Sequence, residues 1–381
     1  MRKAFVLCVA ACGSGSPSPD AGTLDTITVE PSPITLTAET SPPMQLSATL
    51  DGEDVTPEAF WTTSDPSIAT IDEFGAVTAI AVGTATITAN VGGTTGSASL
   101  VAIDPTLVVA CTDSELLFYD AFATGSATPS HTLVGSHGSN GVYWQLASDG
   151  STLYVTDAMS AEVDAWSIDA EGGPATVIAG TNTQLDDPRG IAIANGQLYV
   201  GGSNQIDVYD LHDSGDIAPV QIIRSSVGSI SPIALAASGS DLYVADDVAA
   251  RIEVFPLGAS GSVMPSREIA SPLFRDPRGI AVGSNGEIFV ADAGSDDVPP
   301  AIDVVVDTDS ESISELPIRR IAGPTSAADH GPMQLRLLGA SLYFASSLDN
   351  AIVSVSAQAT SDAPAATRLE LPCSPRGLWF F

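Results

Sequence analysis

The chain carries two patterns of apolar and polar positions. From Leu24 to about Ile103, short alternating runs are separated by turn residues: "TITVEPSPITLT", "MQLSATL", "AVTAIAVGTATITANV" and "GSASLVAI". Alternation with a period of two puts one face of each segment inward and the other outward, so these segments read as β-strands with no helical stretch among them. From Thr106 onward the strands are more uniformly apolar and begin to recur.

Aligned on their strand openings, the recurrences are "YWQLA" from Tyr143, "PRGIA" from Pro188, "PIALA" from Pro232, "PRGIA" from Pro277, "PMQLR" from Pro332 and "PRGLW" from Pro375. The spacings are 45, 44, 45, 55 and 43 residues. A period in this range marks a propeller or a solenoid. Each unit continues with a second strand ("LYVTD", "LYVGG", "LYVAD", "IFVAD", "LYFAS"). A third follows ("VDAWSI", "IDVYDL", "IEVFPL", "IDVVVD", "IVSVSA"), and a fourth comes after a Gly/Ser/Pro turn. Four short strands per unit is the composition of a propeller blade.

The first unit, "LVVACTDSELLFYDAFATGSATPSHTLVG", has second, third and fourth strands but no first. The last fragment, "PRGLWFF", is a first strand with nothing after it. Together they make one blade. The expected fold is therefore all-β: a sandwich followed by a six-bladed β-propeller in which the C-terminal strand closes the first blade. Closure removes sheet edges that a solenoid would have to cap.

Two resemblances support this division. "FWTTSDPSIATIDEFGAVTAIAVGTATI" resembles the bacterial immunoglobulin-like group 2 domain: Trp61, the turn Ser64-Asp65-Pro66, the strand Ala69-Thr70-Ile71 and Gly75 stand where that family has them. The run from Pro277 to Val304, with Pro-Arg-Gly-Ile-Ala-Val and then Gly-Glu-Ile-Phe-Val-Ala-Asp, resembles the NHL repeat, and the other units are weaker copies. The resemblance implies a fold shared by ligand-binding propellers, interaction modules, gluconolactonase-type enzymes and amidating lyases, so function must be argued from the site.

Charge narrows the partners. The formal net charge is −33, charged residues make up 15% of the chain, and Lys3 is the only lysine. Such a surface repels nucleic acid and anionic headgroups. The start, "MRKAFVLCVAAC", has a basic tip and an apolar run too short to span a bilayer. Val9-Ala10-Ala11-Cys12 resembles the bacterial lipobox, which implies cleavage before Cys12 and its lipidation. The expected organisation is a signal over 1–11, the lipidated cysteine and flexible tether over 12–23, the immunoglobulin-like domain over 24–104 and the propeller over 105–381. The expected location is the cell envelope, at the outer membrane or cell surface, with membrane contact through the lipid alone. A monomer is expected.

Candidate chemistry gathers where first strands begin. The arginines of "PRG" are Arg189, Arg278 and Arg376, and the equivalent positions between them are Trp144, Ile233 and Met333. Alternating cations and apolar groups at a channel mouth suit a carboxylate, a phosphate or a sulfated sugar. The competing expectation is that each arginine pairs with an aspartate at the end of a second strand, such as Asp157, Asp246 or Asp292, and ties blades together. These aspartates are also expected to accept turn amides.

The long loop Ala293–Ala301 sits on the arginine face, and Asp296 and Asp297 in it are weak candidates for Ca²⁺ because their spacing is not that of a calcium loop. His131, His137, His212 and His330 show no metal-ligand spacing, so no metal is assigned. The expected work is non-enzymatic binding of a protein, glycan or small anion, with a lactonase or lyase at the channel mouth as the alternative and a structural surface protein as the third. Finally, Cys111 ends the second strand of blade one, and Cys373 shortly precedes its first strand. Antiparallel pairing makes them neighbours, so a disulfide is expected there, with two free thiols as the alternative.

Overall fold

The computed structural model of the chain describes residues 26–38, 43–283, 285–307, 313–314 and 316–381. The expected signal, Cys12 and tether lie outside the described residues. Among those described, the helical pieces are two single turns, Thr56–Glu58 and Gly138–Asn140. All else regular is β-strand, in two compact units divided near residue 103.

In the first unit, Ile34–Thr37, Thr94–Ile103, Gly83–Val91 and Phe60–Thr63 form one sheet, and Ile27–Glu30, Ser47–Leu50 and Glu53–Asp54 form another. Burial alternates along Ile27–Glu30 and the second half of Thr94–Ile103, as the sequence pattern requires. Trp61 is 7% exposed and sits in the core with Leu46, Ile87 and Leu100. Gly75 has φ +87°, and a Cβ there would lie 3.1 Å from the Trp61 ring. A left-handed turn packed on a large ring requires glycine.

Among the described residues the second unit contains six sheets. Their innermost strands are Tyr143–Ser148, Gly190–Ala194, Pro232–Ser238, Pro277–Val282, Pro332–Leu338 and Pro375–Phe380. Each lies against the next, and Pro375–Phe380 lies against both Pro332–Leu338 and Tyr143–Ser148, so the series returns on itself. Pro375–Phe380 pairs antiparallel with Thr106–Cys111, from Leu107↔Phe380 to Cys111↔Pro375, with a register shift between Ala110 and Cys111. It completes the sheet of blade one. Cys111 and Cys373 form a disulfide across 262 residues at a Cα–Cα distance of 5.8 Å.

Two features go beyond four strands per blade. Gly261–Val263, from the link between the third and fourth strands of blade four, adds a parallel fifth strand to the outer edge of blade three. Ile313–Ser314 of blade five does the same for blade four. Parallel bridges at Gly125↔Leu369, Ile178↔Gly215 and Ile321↔Ser361 repeat the contact around the ring. At the remaining junction the His131 ring meets the Ala170 carbonyl at 3.0 Å. Each blade thus hooks the exposed edge of a neighbour, which covers backbone groups that would otherwise recruit other chains.

A second recurrence is polar. Asp164, Asp207, Glu253 and Asp303 occupy equivalent places in the third strands of blades two to five, each at most 1% exposed. Their partners differ: the Tyr143 hydroxyl, Gln205, Arg251 and Arg320. Burial raises all four carboxyls above the ordinary range, Asp207 and Asp303 to about 6.

Two outcomes follow. Deleting Ser374–Phe381 strips Leu378 and Phe380 from the interior together with a full ladder, so the melting temperature should fall by on the order of 10 °C or more. A truncated protein that melts within about a degree or two of the parent would show that the ring does not depend on this strand. The second concerns Asp207. Its folded pKa of about 6 lies above the unfolded value, so the native state holds the proton more tightly. Its contribution is then most favourable below about pH 4 and declines as pH rises towards 6. Asp207→Asn, which still accepts from Gln205, should remove that part of the decline and raise stability at pH 7 by on the order of 1–3 kcal/mol. Unfolding curves at pH 4 and pH 7 check this; an unchanged pH dependence would contradict it.

Candidate functional site

The innermost strands present two columns of side chains along the channel. The column nearest the strand starts is Trp144, Arg189, Ile233, Arg278, Met333 and Arg376. These residues converge: the Arg189 and Arg376 guanidinium carbons each lie 4.7 Å from the Trp144 ring centre. Arg376 Nη1 is 3.8 Å from the Met333 sulfur.

The expected partners of the arginines need correction. Arg189 pairs with Asp187 at 2.5 Å and Arg278 with Asp276 at 2.6 Å, each the aspartate two residues earlier. Asp157, Asp246 and Asp292 are engaged elsewhere by turn amides. Asp157 Oδ1 accepts from Val142, Met159 and Ser160, and Asp246 Oδ1 accepts from Ser231, Val248 and Ala249. Asp292 accepts from Arg275, Asp276 and Gly294.

The third arginine differs because its sequence differs. "DPRG" occurs twice, but the last copy is "SPRG", and Ser374 donates to the Ser347 carbonyl instead. Arg376 is in no ion pair among the described residues, and its buried Nε has no hydrogen-bond partner. Burial, together with the nearby Arg278 and Arg189, holds its guanidinium below the ordinary value. Three guanidinium groups therefore meet with two carboxylates to balance them.

One step along the strands, Gln145 and Gln334 reach between blades. Gln145 Oε1 accepts from Ile191 and Leu235 at 3.1 and 3.3 Å. Gln334 Oε1 accepts from Leu378 and Leu146 at 2.9 and 3.3 Å, and its amide donates to the Leu146 carbonyl. The remaining blades carry Gly190, Ala234, Gly279 and Gly377 here. A Cβ on Gly377 would lie 2.6 Å from the Trp144 carbonyl oxygen, which explains the glycine of "PRG".

Beyond the glutamines lies a half-open cavity of about 290 Å³, lined by Ala147, Ala192, Ala236, Ala281, Arg336 and Trp379 among others. The Arg336 guanidinium stacks 4.0 Å from the Trp379 ring centre and donates to the Leu146 carbonyl at 3.0 Å. Burial brings its pKa down to about 9, and its Nε has no hydrogen-bond partner among the described residues. Sequence reasoning passed over this second column. The signal was present in "PMQLR" and "PRGLW", where a cation and an aromatic replace the recurring alanine.

The loop Ala293–Ala301 is a turn in which the Ser295 N–H donates to the Val298 carbonyl at 2.7 Å. Asp296 and Asp297 are exposed there, and neither falls in a set of three possible metal ligands among the described residues. His330 meets Asp349 at 2.8 Å, and His212 lies 3.1 Å from the Tyr154 hydroxyl. His137, which the sequence left alone, stands beside Asp157 and Glu162.

Two family models match the chain, one in each unit. The bacterial Ig-like domain (group 2) family matches residues 24–102, and the NHL repeat matches residues 274–296. No curated protein matches the chain. Among solved structures, the chain is similar to one in a nidogen/laminin complex (16% identity, 72% of this chain and 98% of that one, TM-score 0.49). It is also similar to a functionally unknown protein from Desulfotomaculum acetoxidans (12% identity, 67% and 75%, TM-score 0.46). A third is a Kuenenia stuttgartiensis hydrazine synthase chain (14% identity, 71% and 87%, TM-score 0.46).

Proposed function

We propose that the propeller is a surface binding module that captures one anionic group, a carboxylate or sulfate carried on a glycan or protein, at the mouth ringed by Arg189, Arg278 and Arg376. The observation that carries this reading is Arg376: a half-buried guanidinium between two others, with no carboxylate of its own among the described residues. An ion so placed is costly until a counter-ion arrives, and a guanidinium fork suits a planar carboxylate or a sulfate. The rest of the molecule favours a ligand with a single charge. A net charge of −33 repels a polyanion but lets one acid group reach a local cationic focus. In this reading Cys12 carries the lipid, the tether and immunoglobulin-like domain act as a spacer, and the propeller works at the cell envelope.

Acetate, sulfate and glucuronate, each titrated into the full chain while its melting temperature is followed, provide the test. At least one should stabilise the parent, and Arg376→Met should remove the effect while Arg224→Gln, on an outer strand, retains it. If none of these anions shifts the parent, or if Arg376→Met responds as the parent does, the mouth is not an anion site.

A further inference from the structure

We propose that His137, Asp157 and Glu162 form a site for a divalent transition-metal cation of the zinc type, at the junction of blades one and two. The site is independent of the arginine mouth. Its parts come from three places. His137 precedes the turn Gly138–Asn140, Asp157 ends the strand Thr152–Asp157, and Glu162 opens the strand Glu162–Ser167. Asp157 and Glu162 are direct partners across that hairpin. One donor atom from each of the three residues lies within 4.8 Å of the others. Metal bonds of about 2.0–2.2 Å set tetrahedral ligand atoms about 3.4 Å apart, so the donors would have to close by up to about 1.4 Å, which the exposed His137 side chain can supply.

The surroundings point to a ligand rather than to a solvated acidic patch. Asp157 is 1% exposed and Glu162 2%. Asp157 Oδ1 is committed to three backbone amides, which fixes the carboxylate and leaves Oδ2 facing the loop. The Ser114 hydroxyl, fully buried on blade one, has no hydrogen-bond partner among the described residues. It is aimed at the same spot: a Cβ on Gly141 would overlap both Ser114 Oγ and Asp157 Oδ2. Behind them, the Asp164 Oδ1 atom is buried and has no partner among the described residues, while Oδ2 takes the Tyr143 hydroxyl. Three buried carboxylates and an unused hydroxyl around one imidazole leave negative charge that a dication would offset.

The donor set also selects the ion. Calcium takes six to eight oxygens, whereas an imidazole nitrogen with two carboxylates suits zinc and its neighbours. His137 is 53% exposed in its side chain, so the site opens to solvent and leaves a coordination position for water. Without metal, His137 Nδ1 donates to Glu162 at 2.7 Å, and the Ser136 hydroxyl donates to the same Glu162 oxygen and lies 2.9 Å from His137 Nδ1; metal coordination would replace these contacts.

The test uses the full chain, stripped with chelator and titrated calorimetrically with ZnCl₂ and separately with CaCl₂. We expect one Zn²⁺ per chain, calcium bound at least about a hundredfold more weakly, and zinc affinity reduced by about a hundredfold or more in His137→Ala and Glu162→Gln. In the parent, Zn²⁺ should also protect His137, but not His212, from carbethoxylation read by mass spectrometry; this holds even if a variant fails to fold. The proposal is overturned if stoichiometric zinc does not bind at up to about 100 µM, if calcium binds as tightly, if folded His137→Ala binds as the parent does, or if His137 stays reactive in zinc.

Discussion

The antiparallel pairing of Pro375–Phe380 with Thr106–Cys111 joins the two ends of the propeller's chain, and both columns of side chains along the channel depend on it. That strand supplies Arg376 to the upper column and Trp379 to the lower one. Its Leu378 amide is held by Gln334, and its Gly377 allows the close approach of Trp144. The disulfide between Cys111 and Cys373 lies at the same seam and limits how far the ends can separate. A propeller otherwise held by pairing within blades and hooks between neighbours has its one break in chain continuity here.

Electrostatics set a second constraint. The chain has few cations, and the structure places most of them against carboxylates: Arg267 with Asp241 and Asp307, Arg320 with Asp303, Arg368 with Asp349 and Glu370. Against this background Arg376 and Arg336 stand out, because each stacks on a tryptophan rather than pairing with an acid. A cation on an aromatic face keeps its charge available to an incoming anion, at some cost in desolvation. The two lie in successive columns of the same channel.

Much of this was legible because it is periodic. The strand openings and the split blade follow from spacing alone, and Trp61 with Gly75 marks the sandwich core. The unpaired arginine was legible too, in the change from Asp187-Pro188-Arg189 to Ser374-Pro375-Arg376, although pairing within the motif was not foreseen. Sequence reasoning looked instead to Asp157, Asp246 and Asp292, which turn amides already occupy. The buried acids Asp207 and Asp303 were hidden in strands read as apolar, since a single polar position in such a strand says nothing of its partner. His137 and Glu162 are 25 residues apart and Ser114, which meets Asp157 beside Gly141, belongs to another blade, so only the packing of two blades brings them together. The hooks at Gly125, Gly215 and Ser361 were likewise unreadable, because they are backbone contacts that leave no side-chain signature.

Native-state hydrogen exchange on the full chain with the disulfide reduced tests most directly whether the seam is integral to the ring. The account predicts that ladder amides of Thr106–Cys111 and Pro375–Phe380 exchange only through global unfolding, with opening free energies within about 1 kcal/mol of those in the central strands Gln197–Gly202 and Asp241–Asp246. Opening of Pro375–Phe380 several kcal/mol below those strands, with the other blades still protected, would contradict it.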